Sequence, residues 1–409
     1  FSEDVAASVS ESDLVLENLT AATTVPTAFV DVDYDSGTNT ARFTFPGYSG
    51  GVLPDGSYRA TIAAGSIQDA GGNTMAADFK YYLIWSSGTG GSDLYIIKLD
   101  APGTTVQVFM NNPVVPMFTA TYSTLGIIAI DGDADDDSAT VDLVHGNPIP
   151  PDGIHFDGAA DSDTLGIVGT TGAQTAAANS GSLDISGAGS IGHANVETVS
   201  FDGLGGFDSL TISSAPPVIF PGTQQFQSLT LAAGTSAALS SNGNRVLVVK
   251  ALSLDASASL DLFDNDLILD YTDTRSAALD AIQALINSAR NFGEWDGPGL
   301  TSTVARDNPD ANTTLGAMDA SDYLGYYGPG TLFAGQSIDA TSVIVKYTYY
   351  GDANFDGQIT LDDYSQIDGG YLLNLTGWLN GDFDGSGGKV DLDDYSLIDG
   401  AFLTQGAVL

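Results

Sequence analysis

The sequence predicts a mainly β protein in three parts. A β-sandwich comes first, then a long middle of short stacked strands closed by one helix, then a small α-helical module. Three observations carry this. Short apolar runs punctuated by Gly, Asp and Ser fill residues 1 to about 271, with scarcely any helical periodicity. Glycine supplies 49 of 409 residues while 43% of the chain is hydrophobic, so turn-rich structure and buried cores are both within reach. Near the C-terminus one unit is written twice, and each copy begins with closely spaced oxygen side chains.

In chain order, residues 1 to about 86 alternate apolar runs with turn signals. The runs are Asp13–Leu19, Ala28–Tyr34, Thr40–Phe45, Ser57–Ile62 and Asp78–Ile84, broken by DSG, GYSGG, LPDG and DAGGN. This spacing fits an antiparallel sandwich. Residues 53–84, LPDGSYRATIAAGSIQDAGGNTMAADFKYYLI, resemble the bacterial Ig-like domains of surface-layer and adhesin proteins, whose last hairpin carries a similar LPxGxY and DxxGN pattern. The opening FSEDV is similar to that family's first strand, and the resemblance implies a spacer. Ser87–Ser92 (SGTGGS) reads as a linker.

A second domain is expected over residues 93–350. Three pieces recur in it: IDGDADDDSATV from Ile130, FDGAADSDTLGI from Phe156 and FDGLGGFDSLTI from Phe201. In each, an Asp-Gly is followed by a second Asp six residues after the first: Asp131 and Asp137, Asp157 and Asp163, Asp202 and Asp208. Ser or Thr and an apolar alternation follow, which is turn then strand. Such units suggest the rungs of a β-solenoid, each of about 20 to 25 residues; a β-sandwich with long loops is the alternative. The acidic turns resemble the calcium turns of haemolysin-type repeats without their nonapeptide periodicity, and they read first as ordinary Asp-Gly turns.

Residues 274–292 change character. Leu279, Ile282, Leu285 and Ile286 have helical spacing, Asp273 or Thr274 can cap, Arg290 sits in the last turn and Gly293 follows. This predicts an amphipathic helix packed on the end of the β stack, where it covers an open edge. The WDGPG at 295–299 and the run SVIVKYTYYGDAN from Ser342 resemble the C-terminal region of large exported proteins from planctomycete-type bacteria, over roughly residues 265–405.

The third domain, residues 351–409, holds the duplication. Leu361 and Leu392, Asp363 and Asp394, Tyr364 and Tyr395, Ile367 and Ile398, and Asp368 and Asp399 are all 31 residues apart. In the first copy Asp352, Asn354, Asp356, Gln358, Thr360 and Asp363 fall at positions 1, 3, 5, 7, 9 and 12 of a calcium loop, with Gly357 at position 6. Calcium takes six to eight oxygens on a flexible frame, and position 6 needs a sharp turn that glycine tolerates. Ile359, at position 8, is expected to pair with its counterpart in the other loop. The second copy departs from this. With Asp382, Asp384 and Ser386 at 1, 3 and 5 and Gly387 at 6, the closing Asp394 arrives one residue late and Gly388 is an insertion. Another register places Asn380, Asp382, Asp384 and Asp391 at 1, 3, 5 and 12, with Gly385 at 6. The candidate ligands of this loop are therefore Asp382, Asp384, Ser386, Lys389, Asp391 and Asp394. The paired loops resemble dockerin modules, which plug into cohesin domains of extracellular assemblies; the resemblance covers about 55 residues of 409 and implies Ca2+ and a protein partner. Where cellulosomal dockerins carry a small hydroxyl pair for cohesin contact, at positions 10 and 11, this chain has Leu361 and Asp362.

Charge and composition bound the function. Eleven Lys and Arg against 52 Asp and Glu leave a net charge of −41, which repels phosphate backbones and anionic headgroups and so disfavours nucleic acid and membrane surfaces. The surface also repels itself, a cost that divalent cations lower; halophilic adaptation gives the same composition. With no cysteine there are no disulfides, thiolate sites or cysteine nucleophiles. No apolar run approaches the roughly 20 residues that span a bilayer. The start at Phe1-Ser2-Glu3 predicts a processed form or fragment of an exported precursor. His145, His155 and His193 lack HxH or HExxH partners, and no GxSxG elbow, phosphate loop or dinucleotide fingerprint occurs. Glu294 beside Trp295 is the one aromatic-flanked Glu and reads as part of a loop anchored by a packed Trp; Tyr347, Tyr349 and Tyr350, with Tyr323, Tyr326 and Tyr327, read as sheet packing before a sugar platform.

The expectation is a non-enzymatic, calcium-stabilised structural protein, extracellular or at the cell surface, that self-associates into a fibre or layer or anchors to a protein partner. An adhesin or a polysaccharide-binding subunit of a larger glycan-degrading protein is the alternative.

Overall fold

Alternating apolar residues in short runs favour strands, and the turn residues between them favour return of the chain. A computed structural model bears this out as a mainly β protein, with twenty-eight strands and five α-helices among the described residues, which are 1–51, 53–54, 58–85, 91–271 and 275–409. Most of the expected linker at 87–92, the Asp55-Gly56 of the LPDG turn and the capping residues Asp273 and Thr274 lie outside the described residues. The chain divides into two compact units, one of residues 1–168 and 181–199, the other of residues 169–180 and 200–409.

In the first unit, Leu14–Asn18, Tyr58–Ile62 and Phe79–Trp85 form an antiparallel sheet in that order. Asp31–Asp35 and Thr40–Thr44 form a separate hairpin. Leu16, Val25, Val30 and Tyr58 are the buried centre of this region, and the Arg59 guanidinium meets the Glu17 carboxylate at 2.6 Å on its polar face. Phe79–Trp85 also pairs in parallel with Ile127–Asp131, so the antiparallel sheet runs on into a parallel one. Here the chain alternates between two sheets. Ile128 pairs with Ile154 in one and Ser138 with Thr164 in the other, both 26 residues on. Like therefore stacks on like: Ala139 on Leu165 and Val141 on Ile167, all buried. The turns joining the sheets are the Asp-Gly units seen in the sequence.

The second unit repeats the parallel arrangement. Thr175–Asn179, Asp208–Ser213, Gln224–Leu231, Val246–Val249 and Asp266–Asp270 are successive neighbours in one sheet, and Val218–Phe220, Ser236–Leu239, Ser259–Asp261 and Gly299–Thr301 in another. Two long antiparallel strands, Ser342–Tyr349 and Thr313–Asp319, then close the first of these sheets. Helix α1 (Arg275–Arg290) packs on Gly299–Thr301 and on both long strands. A Cβ on Gly299 (φ +127°) would strike the Leu285 carbonyl, so glycine is what lets this strand lie against the helix. Trp295 is buried and the neighbouring Glu294 is exposed. Helices α2 (Thr303–Asp307) and α3 (Ala320–Tyr327) flank the closing strands. Ser342–Tyr349 is buried on both faces except at Lys346 and leads directly into the oxygen-rich loops. Helices α4 (Leu361–Leu373) and α5 (Leu392–Thr404) follow those loops. Ile344, Met318, Ile359, Ile367, Val390 and Ile398 belong to one hydrophobic cluster, so the paired loops share their core with the closing strands.

Candidate metal centre

Each loop is a tight ring because its first acid folds back onto backbone amides. In the first loop, Asp352 Oδ1 accepts from the Asp356 N–H at 3.0 Å and Oδ2 from the Gly357 N–H at 2.9 Å; Thr348 Oγ1 also donates to Oδ2. Asn354 Oδ1 accepts the Asp356 N–H at 2.9 Å. Asp363, in the first turn of α4, reaches back: Oδ1 accepts from the Ala353 N–H at 2.9 Å and Oδ2 from the Thr360 N–H at 2.8 Å. Thr360 caps α4 through a capping box with Asp363.

The second loop repeats these bonds. Asp382 Oδ1 accepts from the Ser386 N–H at 3.1 Å and Oδ2 from the Gly387 N–H at 3.1 Å. Asp384 Oδ1 accepts the Ser386 N–H at 2.8 Å. Asp394 Oδ1 accepts from the Phe383 N–H at 2.8 Å and Oδ2 from the Asp391 N–H at 3.0 Å. Asp382 thus matches Asp352, Asp384 matches Asn354, Ser386 matches Asp356, Gly387 matches Gly357 and Asp394 matches Asp363. The extra residue falls after Gly387. Of the two registers open in the sequence, this geometry follows the one that begins at Asp382.

The structure brings Asp382, Asp384 and Asp394 together. They offer carboxylate oxygens within 4.8 Å of one another, and among the described residues no other trio of acidic or histidine side chains does so. Ligands on opposite sides of a calcium ion, at 2.3–2.6 Å each, stand about that far apart, so the cluster fits a metal ion of this kind. Asp391 is turned to another task, capping α5 through the Asp393 N–H at 2.8 Å. Lys389 Nζ donates to Asn374 Oδ1 at 2.7 Å, and Ser386 is exposed. In the first loop Asp352, Asn354 and Asp363 are buried, whereas the Asp356 and Gln358 side chains are exposed. The Gln358 N–H donates to Asp356 Oδ1 at 3.0 Å.

Burial and neighbouring acids raise the carboxyls of both loops. Burial, with Asp363 and Asp356 nearby, pushes the Asp352 carboxyl up to about 7 against the amide and hydroxyl donors that favour its ionised form. Burial, with Asp384 and Asp394 nearby, pushes Asp382 up to about 6. Asp363 and Asp394 are raised as well, again mainly by burial.

The two copies are interlocked. Gly351 and Gly381 precede the two first acids, and each lies against the isoleucine of the opposite helix: a Cβ on Gly351 would strike Ile398 and one on Gly381 would strike Ile367. The Tyr364 hydroxyl donates to Asp399 and the Tyr395 hydroxyl to Asp368, both at 2.7 Å. Ile359 and Val390 are both buried in the shared core. The backbone of Ile359 is held by the Gln405 side chain, which accepts from its N–H at 2.8 Å and donates to its carbonyl at 2.9 Å.

Trp378, between the copies, is the participant that spacing did not single out. Its Nε1 donates to the Asp352 carbonyl at 2.8 Å, and its ring lies 5.9 Å from Phe355 of the first loop and 5.2 Å from Phe383 of the second. Helix α1 braces the second loop: the Asn287 amide donates to the Gly385 carbonyl at 2.8 Å, and the Arg290 guanidinium donates to the Asp384 carbonyl. The only sequence signal for these contacts is that Phe355 and Phe383 each precede a loop position occupied by an acid.

Among the described residues no helix is long and apolar enough to cross a membrane. No family model, no curated protein and no solved structure matches the chain.

Proposed function

We propose that the chain is a non-enzymatic structural protein, extracellular or at the cell surface, whose C-terminal dockerin-like module is locked by two Ca2+ ions and anchors the protein to a partner. The repeated bonding of the two loops carries this reading: five amide-to-side-chain contacts recur in matched positions, and in the second loop the acids they orient converge where a cation fits. The first ion is held by Asp352, Asn354, Asp356, Asp363 and the Gln358 carbonyl, and the second by Asp382, Asp384, Asp394 and carbonyls of the inserted segment. Preceding it, an Ig-like sandwich and a β-solenoid serve as spacer and body. The alternation of parallel strands between two sheets supports the solenoid part of this reading.

Anchoring is favoured over self-assembly by the surface of α4 and α5. Leu361 and Leu372 share the outer face of α4, and Leu392 and Leu403 share that of α5 at the same relative positions; all four are largely exposed. They stand among acids, including Asp362 and Asp393. A partner with an apolar face rimmed by Lys and Arg complements this, whereas a second copy, with 11 basic and 52 acidic residues, opposes it by repulsion.

Calorimetric titration of the calcium-stripped chain should register two ions, and Leu361→Ala with Leu392→Ala should leave that count unchanged while abolishing retention on an apolar resin bearing amine groups. A count of zero, or equal binding of Mg2+, sinks the metal lock. Calcium-dependent filaments seen by electron microscopy at physiological salt would replace anchoring by self-assembly. A second reading, carbohydrate binding, draws on a cleft of about 570 Å³ lined by Asp307, Asn308, Asp310, Asn312, Tyr347 and Tyr349. The two Tyr are buried and offer little ring face, so saturable binding on a glycan array is needed to promote it.

A further inference from the structure

The acidic turns of the first unit form a ladder with a gap in its bonding. Asp137 Oδ1 accepts the Asp93 N–H at 2.7 Å, Asp163 Oδ1 accepts the Asp137 N–H at 2.7 Å, and Glu197 Oε2 accepts the Asp163 N–H at 2.8 Å. Each rung's acid thus holds the backbone of the rung before it. The other oxygen of Asp137 and of Asp163 is buried with no hydrogen-bond donor, in residues 2% and 1% exposed. Asp137 Oδ2 and the Gly158 carbonyl oxygen lie 2.6 and 3.2 Å from the point where a Cβ on Gly132 would sit, and Asp163 Oδ2 and the Asn195 carbonyl oxygen stand on the corresponding point of Gly158, so only glycine fits beside each acid. A buried carboxylate oxygen that no donor reaches keeps its charge at a desolvation cost, which a proton on that oxygen removes.

The groups facing these acids add to the burden. Asp93, Asp135 and Asp163 bear on Asp137, and Glu197, Asp136 and Asp161 bear on Asp163; all are acidic. Among the described residues, no trio of these acids brings its oxygens within 4.8 Å of one another. We infer that Asp137 and Asp163 each carry a proton on Oδ2 in mildly acidic solution, and that its loss as the pH rises loosens the rungs, so the ladder acts as a pH-sensitive latch. Burial pushes both carboxyls up to about 6, in keeping with this placement. The raised folded value means that the ladder's contribution is full below the ordinary value near 4 and lost as the pH climbs through about 6.

Thermal unfolding of the full chain in excess calcium, from pH 5 to 8, tests the latch against Asp137→Asn with Asp163→Asn, whose amide nitrogens replace the acid O–H as donors. The wild-type midpoint should fall by roughly 5 °C relative to the variant across this range, and the variant should be the more stable above pH 7. Parallel curves, or a variant weaker at every pH, overturn the inference. Should the variant not fold, carboxyl carbon resonances of the wild-type chain decide: titration of Asp137 and Asp163 near pH 6 supports it, and titration at or below about pH 4 ends it.

Discussion

The two loops near the C-terminus are bonded alike and braced differently. The first is reached from a strand buried on both faces, its first acid takes a hydroxyl from Thr348, and Gln405 clamps its eighth residue. The second is braced from α1, through Asn287 and Arg290, and carries one more residue before its closing acid. Duplication preserved the inner ring of amide-to-carboxylate bonds, where every contact sets an oxygen's direction. The outer supports diverged because they only need to hold the ring in place.

The sharpest way to break this comparison is to empty one loop at a time. Asp352→Ala with Asp363→Ala should cost about 4 kcal/mol of stability at calcium a thousandfold above Kd, and denaturant unfolding in calcium measures it. In chelator the same pair should cost much less, since relief of the buried like charges offsets part of the amide bonds lost with them. Asp382→Ala with Asp394→Ala should follow the same pattern with a smaller loss, because Asp382 is less deeply buried than Asp352.

The pH dependence of the two states should run in opposite directions. Asp352 titrates near 7 and Asp382 near 6 in the metal-free fold, above the ordinary 3.8. The metal-free fold therefore holds protons that the unfolded chain releases. Their stabilising contribution is full below about pH 4 and is lost as the pH climbs to about 7. Calcium competes with those protons, so the calcium-loaded midpoint should rise over the same interval. Melting curves with calcium and with chelator from pH 4 to 8 should converge at the acid end; parallel curves would count against metal binding by these acids.

Smaller effects separate the supports. Gly316→Ala forces a Cβ into Trp378 and Phe355 beside the first loop, at a cost of roughly 1–3 kcal/mol. Asn287→Ala removes a single bond to the second loop, worth about 1 kcal/mol, and should weaken only the second calcium in a calorimetric titration. Deleting Gly388 restores equal spacing, and the two binding steps should draw together.

Much of this was legible in the sequence. Leu14–Asn18, Tyr58–Ile62 and Phe79–Trp85 follow alternation within a residue or two, and the predicted helix at 274–292 is found as Arg275–Arg290. The first loop's spacing singled out Asp352, Asn354 and Asp363, which the structure places as acceptors of the loop's own backbone amides, because a tight loop repeats its bonds at fixed intervals. The second loop left two registers, since counting alone cannot say where an insertion is absorbed; only the amide bonds from Ser386 and Gly387 distinguish them. Lys389 and Asp391 shared the right stretch but face Asn374 and the start of α5. Trp378, Asn287 and Arg290 act across the fold, and local spacing does not encode that. The parallel continuation of Phe79–Trp85 into Ile127–Asp131 was equally hidden, because an edge strand's second partner leaves no mark on its own alternation.

Trp378 also gives the molecule a built-in optical probe. Its indole touches an aromatic ring from each loop and bonds to the backbone of the first acid. An ion that tightened either ring would shift the surroundings of this indole, one of three Trp in the chain, so in a chain with Trp85 and Trp295 changed to Phe the emission should change in both binding steps. The same ring links the two loops, so if both bind an ion as proposed, Trp378→Leu should uncouple the two binding steps in a calorimetric titration.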